Sequence, residues 1–98
     1  MAITRAQLEA ATEALGLALK FDRPADAMLH DFFRARHALG SHDRAFIAEA
    51  VYGVLRRKRT VDHLAPGGSP RRMLLAYLAR VRGISIRELA DLLKQDES

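Results

Sequence analysis

The sequence predicts an all-α domain, a compact bundle of five or six helices. Three observations carry that prediction. Apolar residues recur at intervals of three and four, as at Phe46, Ile47, Ala50, Val51, Val54 and Leu55. Residues that start helices stand ahead of these stripes, at Thr4, Pro24, Ser41, Ser69 and Ser85. No run alternates apolar and polar residues as a half-buried strand does. The 98 residues make one domain, and a chain of this size removes roughly 60–65% of its unfolded surface from water. With 49% hydrophobic residues it can hold a core without metal or disulfide help.

The first helix is expected from Thr4, where Thr4 and Gln7 fit a capping box. Leu8, Ala11, Leu15, Ala18 and Leu19 supply its stripe, and Gly16 weakens its middle slightly. It is expected to end near Phe21, because Arg23 precedes Pro24 and is biased away from helical angles. Pro24 suits the first position of the second helix, with Asp26 in its first turn. Ala25, Met28, Leu29, Phe32 and Phe33 form its apolar face, and Gly40 is expected to close it. Ser41 is the expected N-cap of the third helix, with Asp43 in its first turn. This helix has the most regular apolar pattern and is expected to be central.

Val61 and Leu64 promise a further turn after the basic run 56–59, and Pro66-Gly67-Gly68 ends it in a loop. Ser69 then caps and Pro70 opens a helix whose buried stripe is Leu74, Tyr77, Leu78 and Val81, closed by Gly83. Ser85 and Glu88 form a second capping box for a last helix, with Ile86, Leu89, Ala90 and Leu93 expected inward. One domain is thus expected over residues 4–94, with 95–98 a frayed tail or the start of a linker.

Composition excludes several chemistries. There is no cysteine, so disulfide frameworks, zinc knuckles and thiol nucleophiles are ruled out. That usage suits a reducing, cytoplasmic setting. No signal peptide is evident at the start, and no stretch has the ~18 apolar residues of a membrane span. His30, His37, His42 and His63 share no metal-ligand spacing. Gly67-Gly68 lacks the surroundings of a phosphate loop, and no acidic pair stands out for acid–base work. By itself the chain is expected not to be an enzyme and to hold no cofactor.

Charge is the informative signal. The net charge is +4, but residues 50–87 carry +8 and the remainder −4. Such an asymmetry points to a polyanionic partner, against the plainer reading of solvated arginines in an Arg-rich composition. Continued at 100° per residue, the third helix would place Tyr52, Arg56 and Arg59 together, opposite Ile47, Ala50 and Val54. Two guanidiniums beside a ring can hold phosphate and stack on an unpaired base. Tyr52 has a second reading, packed against a neighbouring helix. Arg57 and Lys58 point nearer the apolar side, covering it with their stems, reaching the next loop or complementing the helix dipole. On the fifth helix Arg72 and Arg80 face outward, while Arg71 and Arg82 flank the stripe. If the ends of the third and fifth helices adjoin, Arg56, Arg59, Arg71 and Arg72 form one patch. Asp43 and Arg44 are expected to be structural, the arginine bridging helices.

The segments PADAMLHDFFR, GSHDRAFIAEAVYGVLRRKR and SPRRMLLAYLARVRG resemble, in that order, the N-terminal domain of RsmB-type ribosomal RNA methyltransferases. The resemblance spans residues 4–94, and its most specific part is Asp43-Arg44-x-x-Ile47-x-x-x-Val51-Tyr52-x-Val54-Leu55-Arg56. It implies a fold like that of the antitermination factor NusB and a role in binding or orienting ribosomal RNA. In that family a following domain binds S-adenosylmethionine and methylates cytosine C5 with cysteines. This chain lacks the cysteines, the Gly-rich methyl-donor motif and the strand–helix alternation. The resemblance therefore implies a piece of a larger enzyme, docked on its own catalytic domain, or a stand-alone relative. RNA is the expected partner, and a monomer the expected state.

Two other functions compete: a NusB-like antitermination or RNA-processing factor, and a protein-docking domain whose arginines meet an acidic protein surface. A DNA-binding helix-turn-helix is suggested by Arg82-Gly83-Ile84-Ser85 and IRELADLL. No sequence is left after Leu93 for its recognition helix.

Overall fold

The computed structural model describes residues 3–20 and 23–94, apart from the side chains of 93 and 94. The expected helix end at Phe21, the inward side of Leu93 and the 95–98 tail lie outside the described residues. The described residues form six helices: α1 (Arg5–Lys20), α2 (Ala25–Arg34), α3 (Ser41–Arg56), α4 (Lys58–Leu64), α5 (Pro70–Arg80) and α6 (Ile86–Lys94). Among the described residues there is no strand, so the protein is all-α as expected. No described helix is long and apolar enough to cross a membrane.

Local capping explains several of the starts. Thr4 N–H donates to Gln7 Oε1 at 3.0 Å, and Gln7 N–H returns to Thr4 Oγ1 at 3.1 Å, a complete capping box. Ser69 Oγ accepts from Arg72 N–H, with Pro70 in the first turn. Ser85 Oγ accepts from Glu88 N–H at 3.0 Å.

Several expectations are corrected, and Pro24 is the N-cap of α2 rather than its first residue. Helix α2 stops at Arg34, six residues before Gly40. The next turn would have put Arg36 and His37 on its apolar face, and Leu39 packs on the core from a turn instead. The N-cap of α3 is Gly40 rather than Ser41, with no side-chain cap bond. Ile86 is 75% exposed, because α6 docks through Leu89 and Leu92 further along.

The largest correction concerns the basic run. The chain does not continue α3 through Arg59; it breaks at Arg57 (φ −115°, ψ 32°) and restarts as α4. A straight helix would have carried Arg57 and Lys58 toward the apolar side, where unpaired charge is costly. With the break, Arg57 and Lys58 are both exposed, while Val61, seven residues after Val54 and so on the same stripe, is fully buried.

Helix α3 lies at the centre, packed against α1, α2, α4 and α5. Ile47, Ala50, Val51 and Val54 are fully buried, meeting Leu8, Ala11 and Leu15 of α1 and Leu74, Tyr77 and Leu78 of α5 in one core. Helices α3 and α5 approach closely at Gly53. Tyr77, 2% exposed, lies across Gly53, and a Cβ at Gly53 would overlap its ring and hydroxyl. The hydroxyl donates to Glu49 Oε1 at 2.7 Å, and the other Glu49 oxygen accepts from Arg82. Partners thus step backward along α3 as α5 advances, so the two helices run antiparallel. At the end of α5, Gly83 at φ +74° turns the chain, a conformation that favours glycine, and Ile84 N–H returns to Leu78 C=O at 3.0 Å.

Two predictions follow from this seam. Gly53→Ala should destabilise by about 1–3 kcal/mol through overpacking, despite a helix-propensity gain of about 1 kcal/mol. Gly16→Ala is the control: its Cβ would meet Pro70 Cγ at an ordinary 3.5 Å, so thermal denaturation should find it neutral or stabilised. The second prediction concerns pH. Burial, and then the hydrogen bond to Glu49, push the Tyr77 hydroxyl above the usual tyrosine range. The unfolded chain releases that proton near pH ~10, so the contribution is intact below that pH and lost as pH rises through the folded value. Tyr77→Phe should lower Tm at neutral pH, through a hydrogen bond of about 0.5–1.5 kcal/mol. Its Tm should then fall less steeply than that of the wild type above pH ~10.

Candidate nucleic-acid interface

The cations of the second half fall into two sets. Those of the first set are tied to the fold. Arg71 pairs with Glu9 of α1, and Arg82 with Glu49 of α3. Lys58 pairs with Asp62 one turn on, at 2.9 Å. The second set is exposed, and its guanidiniums form no ion pair among the described residues: Arg56, Arg57, Arg59, Arg72, Arg80 and Arg87.

Topology decides which of the second set gather. Arg56 ends α3, Arg57 is the break, and Arg59 opens the exposed side of α4 with Thr60, Asp62 and His63. Helix α4 packs against α5 and is about 10 Å long. The turn that follows it folds back on itself, Gly68 N–H donating to Ala65 C=O at 2.9 Å. A Cβ at Gly68 would lie 3.3 Å from Arg72 Cβ. The antiparallel α3–α5 seam sets the start of α5 at the same end as the close of α3. Arg56, Arg57, Arg59 and Arg72 therefore share one corner of the bundle. The first turn of α5 holds no acid of its own, and the Glu9 carboxylate that reaches it pairs with Arg71. Arg80 and Arg72 are eight residues apart on α5, or about 12 Å along its axis, so Arg80 stands apart from the corner.

Two expected members of the site are turned elsewhere. Tyr52 is half-buried, and its hydroxyl donates to Asp26 of α2. That bond, ahead of burial, raises its pKa above the tyrosine norm. The ring thus serves the α2–α3 seam, and the break at Arg57 removes Arg59 from the face it shares with Arg56. Arg71 is held by Glu9, as above. Asp43 and Arg44 sit away from the corner: Asp43 Oδ1 accepts from Gln7 Nε2 at 2.9 Å, joining α3 to α1. Arg44 Nε donates to Leu39 C=O at 3.1 Å, and its guanidinium lies 5.8 Å from the Phe33 ring centroid. Arg36 covers Phe32 at 3.8 Å in the same region.

A groove of about 360 Å³ opens on the other side of α3, lined by Ile3, Gln7, Phe46, Glu49, Arg82 and Ile84 among others. Sequence reasoning missed it, since its walls come from three distant segments. Its Glu49 carboxylate is committed to Tyr77 and Arg82, and its Gln7 amide to Asp43. Compared with protein-family models, curated proteins and solved structures, the chain matches none.

Proposed function

We propose that this chain is an RNA-binding module, and that its RNA is ribosomal. The observation that carries the reading is the corner of four exposed guanidiniums, Arg56, Arg57, Arg59 and Arg72, with no acid paired to them among the described residues. Crowded cations repel one another, and a polyanion relieves that repulsion while releasing its own condensed counterions. The choice of ribosomal RNA rests on the sequence resemblance described above. On the same ground the module belongs with a cytosine-C5 methyltransferase domain that uses S-adenosylmethionine, and it helps to hold the substrate for that domain in the cytoplasm.

The test is a fluorescence titration of the chain against a labelled RNA hairpin with a single-stranded tail. Arg56→Glu/Arg59→Glu should bind at least tenfold more weakly at low salt, with unchanged helical circular dichroism. Its log–log salt slope should be shallower by about 1.4–1.8, the loss of two phosphate contacts. Wild-type affinity in that variant, or no binding by the wild type at low salt, overturns the proposal. A second series separates the tied from the free residues. Arg72→Ala should weaken binding more than Arg71→Ala. Tyr52→Phe should leave affinity unchanged while costing about 0.5–1.5 kcal/mol in stability.

A further inference from the structure

We infer that the corner takes base-paired RNA, gripping the phosphate backbone without reading bases. This inference rests on the RNA-binding reading and narrows it to a substrate class.

Recognition of unpaired RNA relies on ring faces on which splayed bases stack, commonly along a groove that tracks the strand. Two hollows of the molecule are lined by α1, α3 and the α5–α6 link, and by α1 and α2 with the residues flanking α2. Neither includes Arg56, Arg57, Arg59 or Arg72.

The corner is also poor in rings. The chain has four Phe and two Tyr. Phe32 and Tyr77 are buried, 3% and 2% exposed. Phe33 is packed edge-on against Phe32, with Arg44 above it. Phe46 lines the groove toward the other end of α3, ten residues (about 15 Å) from Arg56. Tyr52 is spent on Asp26. Phe21 lies outside the described residues. Among the described residues the exposed ring beside the cations is the imidazole of His63, on the same side of α4 as Arg59 four residues earlier.

What remains is a protruding set of guanidiniums on three adjoining segments: the close of α3, the break with α4, and the start of α5. Guanidiniums pair with phosphate oxygens in a forked geometry that carries no base information. A duplex presents two phosphate rows at high charge density and hides its base faces, and proteins recognise it by shape and backbone. Of the two forms of RNA, this corner matches the duplex.

The experiment titrates the intact chain with a 20-base-pair RNA duplex in two unrelated sequences and with oligouridine of equal length, at low salt. The expected result is at least tenfold tighter binding to both duplexes than to oligouridine, with the two duplexes equal within about twofold. His63→Ala and Phe21→Ala, each checked for unchanged helical content, should leave duplex affinity within twofold. Oligouridine bound as tightly as duplex, or a tenfold loss in either ring variant, overturns the inference and leaves RNA binding standing. Binding to neither RNA overturns the inference and the underlying reading together.

Discussion

The placement of Tyr77 on Gly53 is the contact on which the rest of the arrangement depends. A helix carrying a side chain at position 53 could not approach α5 so closely, because the phenol ring occupies that space. Close approach brings the buried hydroxyl to Glu49, and Glu49 in turn holds Arg82. These three partners lie along the seam in opposite chain order, which sets the antiparallel register of α3 and α5. Register at the seam is also register at its ends. One end receives the Arg82 turn and the groove beside Phe46. The other receives the close of α3 and the start of α5, and with them the cations.

A second constraint acts at Arg57, and it links the core to the surface. The apolar stripe of α3 ends at Val54 and Leu55, while the chain must still bury Val61 and Ala65. Four cations stand between these two apolar groups. Burying a cation without a partner costs more than losing regular helix geometry for one residue. The backbone therefore leaves the helical region at Arg57 and begins again. The exposure of Arg57 and Lys58 fits that solution.

Much of the fold was legible because its determinants are local. The Thr4–Gln7 box, the Ser69 and Ser85 caps and the Gly83 turn each involve residues within a few positions. The buried faces of α1, α3 and α5 follow largely from spacing, although Ala14, Gly53 and Met73 are buried beyond the expected stripes and Ala18, Leu19, Phe46, Leu55 and Val81 are only half-buried. Long-range partners were not legible. Tyr52 finds Asp26 across 26 positions, Arg71 finds Glu9 across 62, and Tyr77 finds Glu49 across 28. Helical spacing put Tyr52 and Arg71 on the basic side, but it could not say which neighbour each would meet. Ile86 shows the converse error. Its spacing to Leu89 is right for one stripe, yet it is the first residue of α6 and that turn projects past the core.

The way the arginines are sorted bears on the plainer alternative, an Arg-rich surface with no partner. In such a surface, cations and acids are interspersed, and pairing depends on which residues happen to be neighbours. Here the seams between helices take up the acids: Glu9, Glu13, Asp26 and Glu49 each hold a residue of another segment. Asp62, the one acid in residues 50–87, pairs with Lys58. The described acids nearest the corner, Asp62 and Glu9, are already paired, with Lys58 and with Arg5 and Arg71. The packing that ties the fold together thereby removes the counter-charge from one place. A phosphate backbone approaching that place meets guanidiniums that need not first be separated from carboxylates, so each contact keeps its full electrostatic and counterion-release gain.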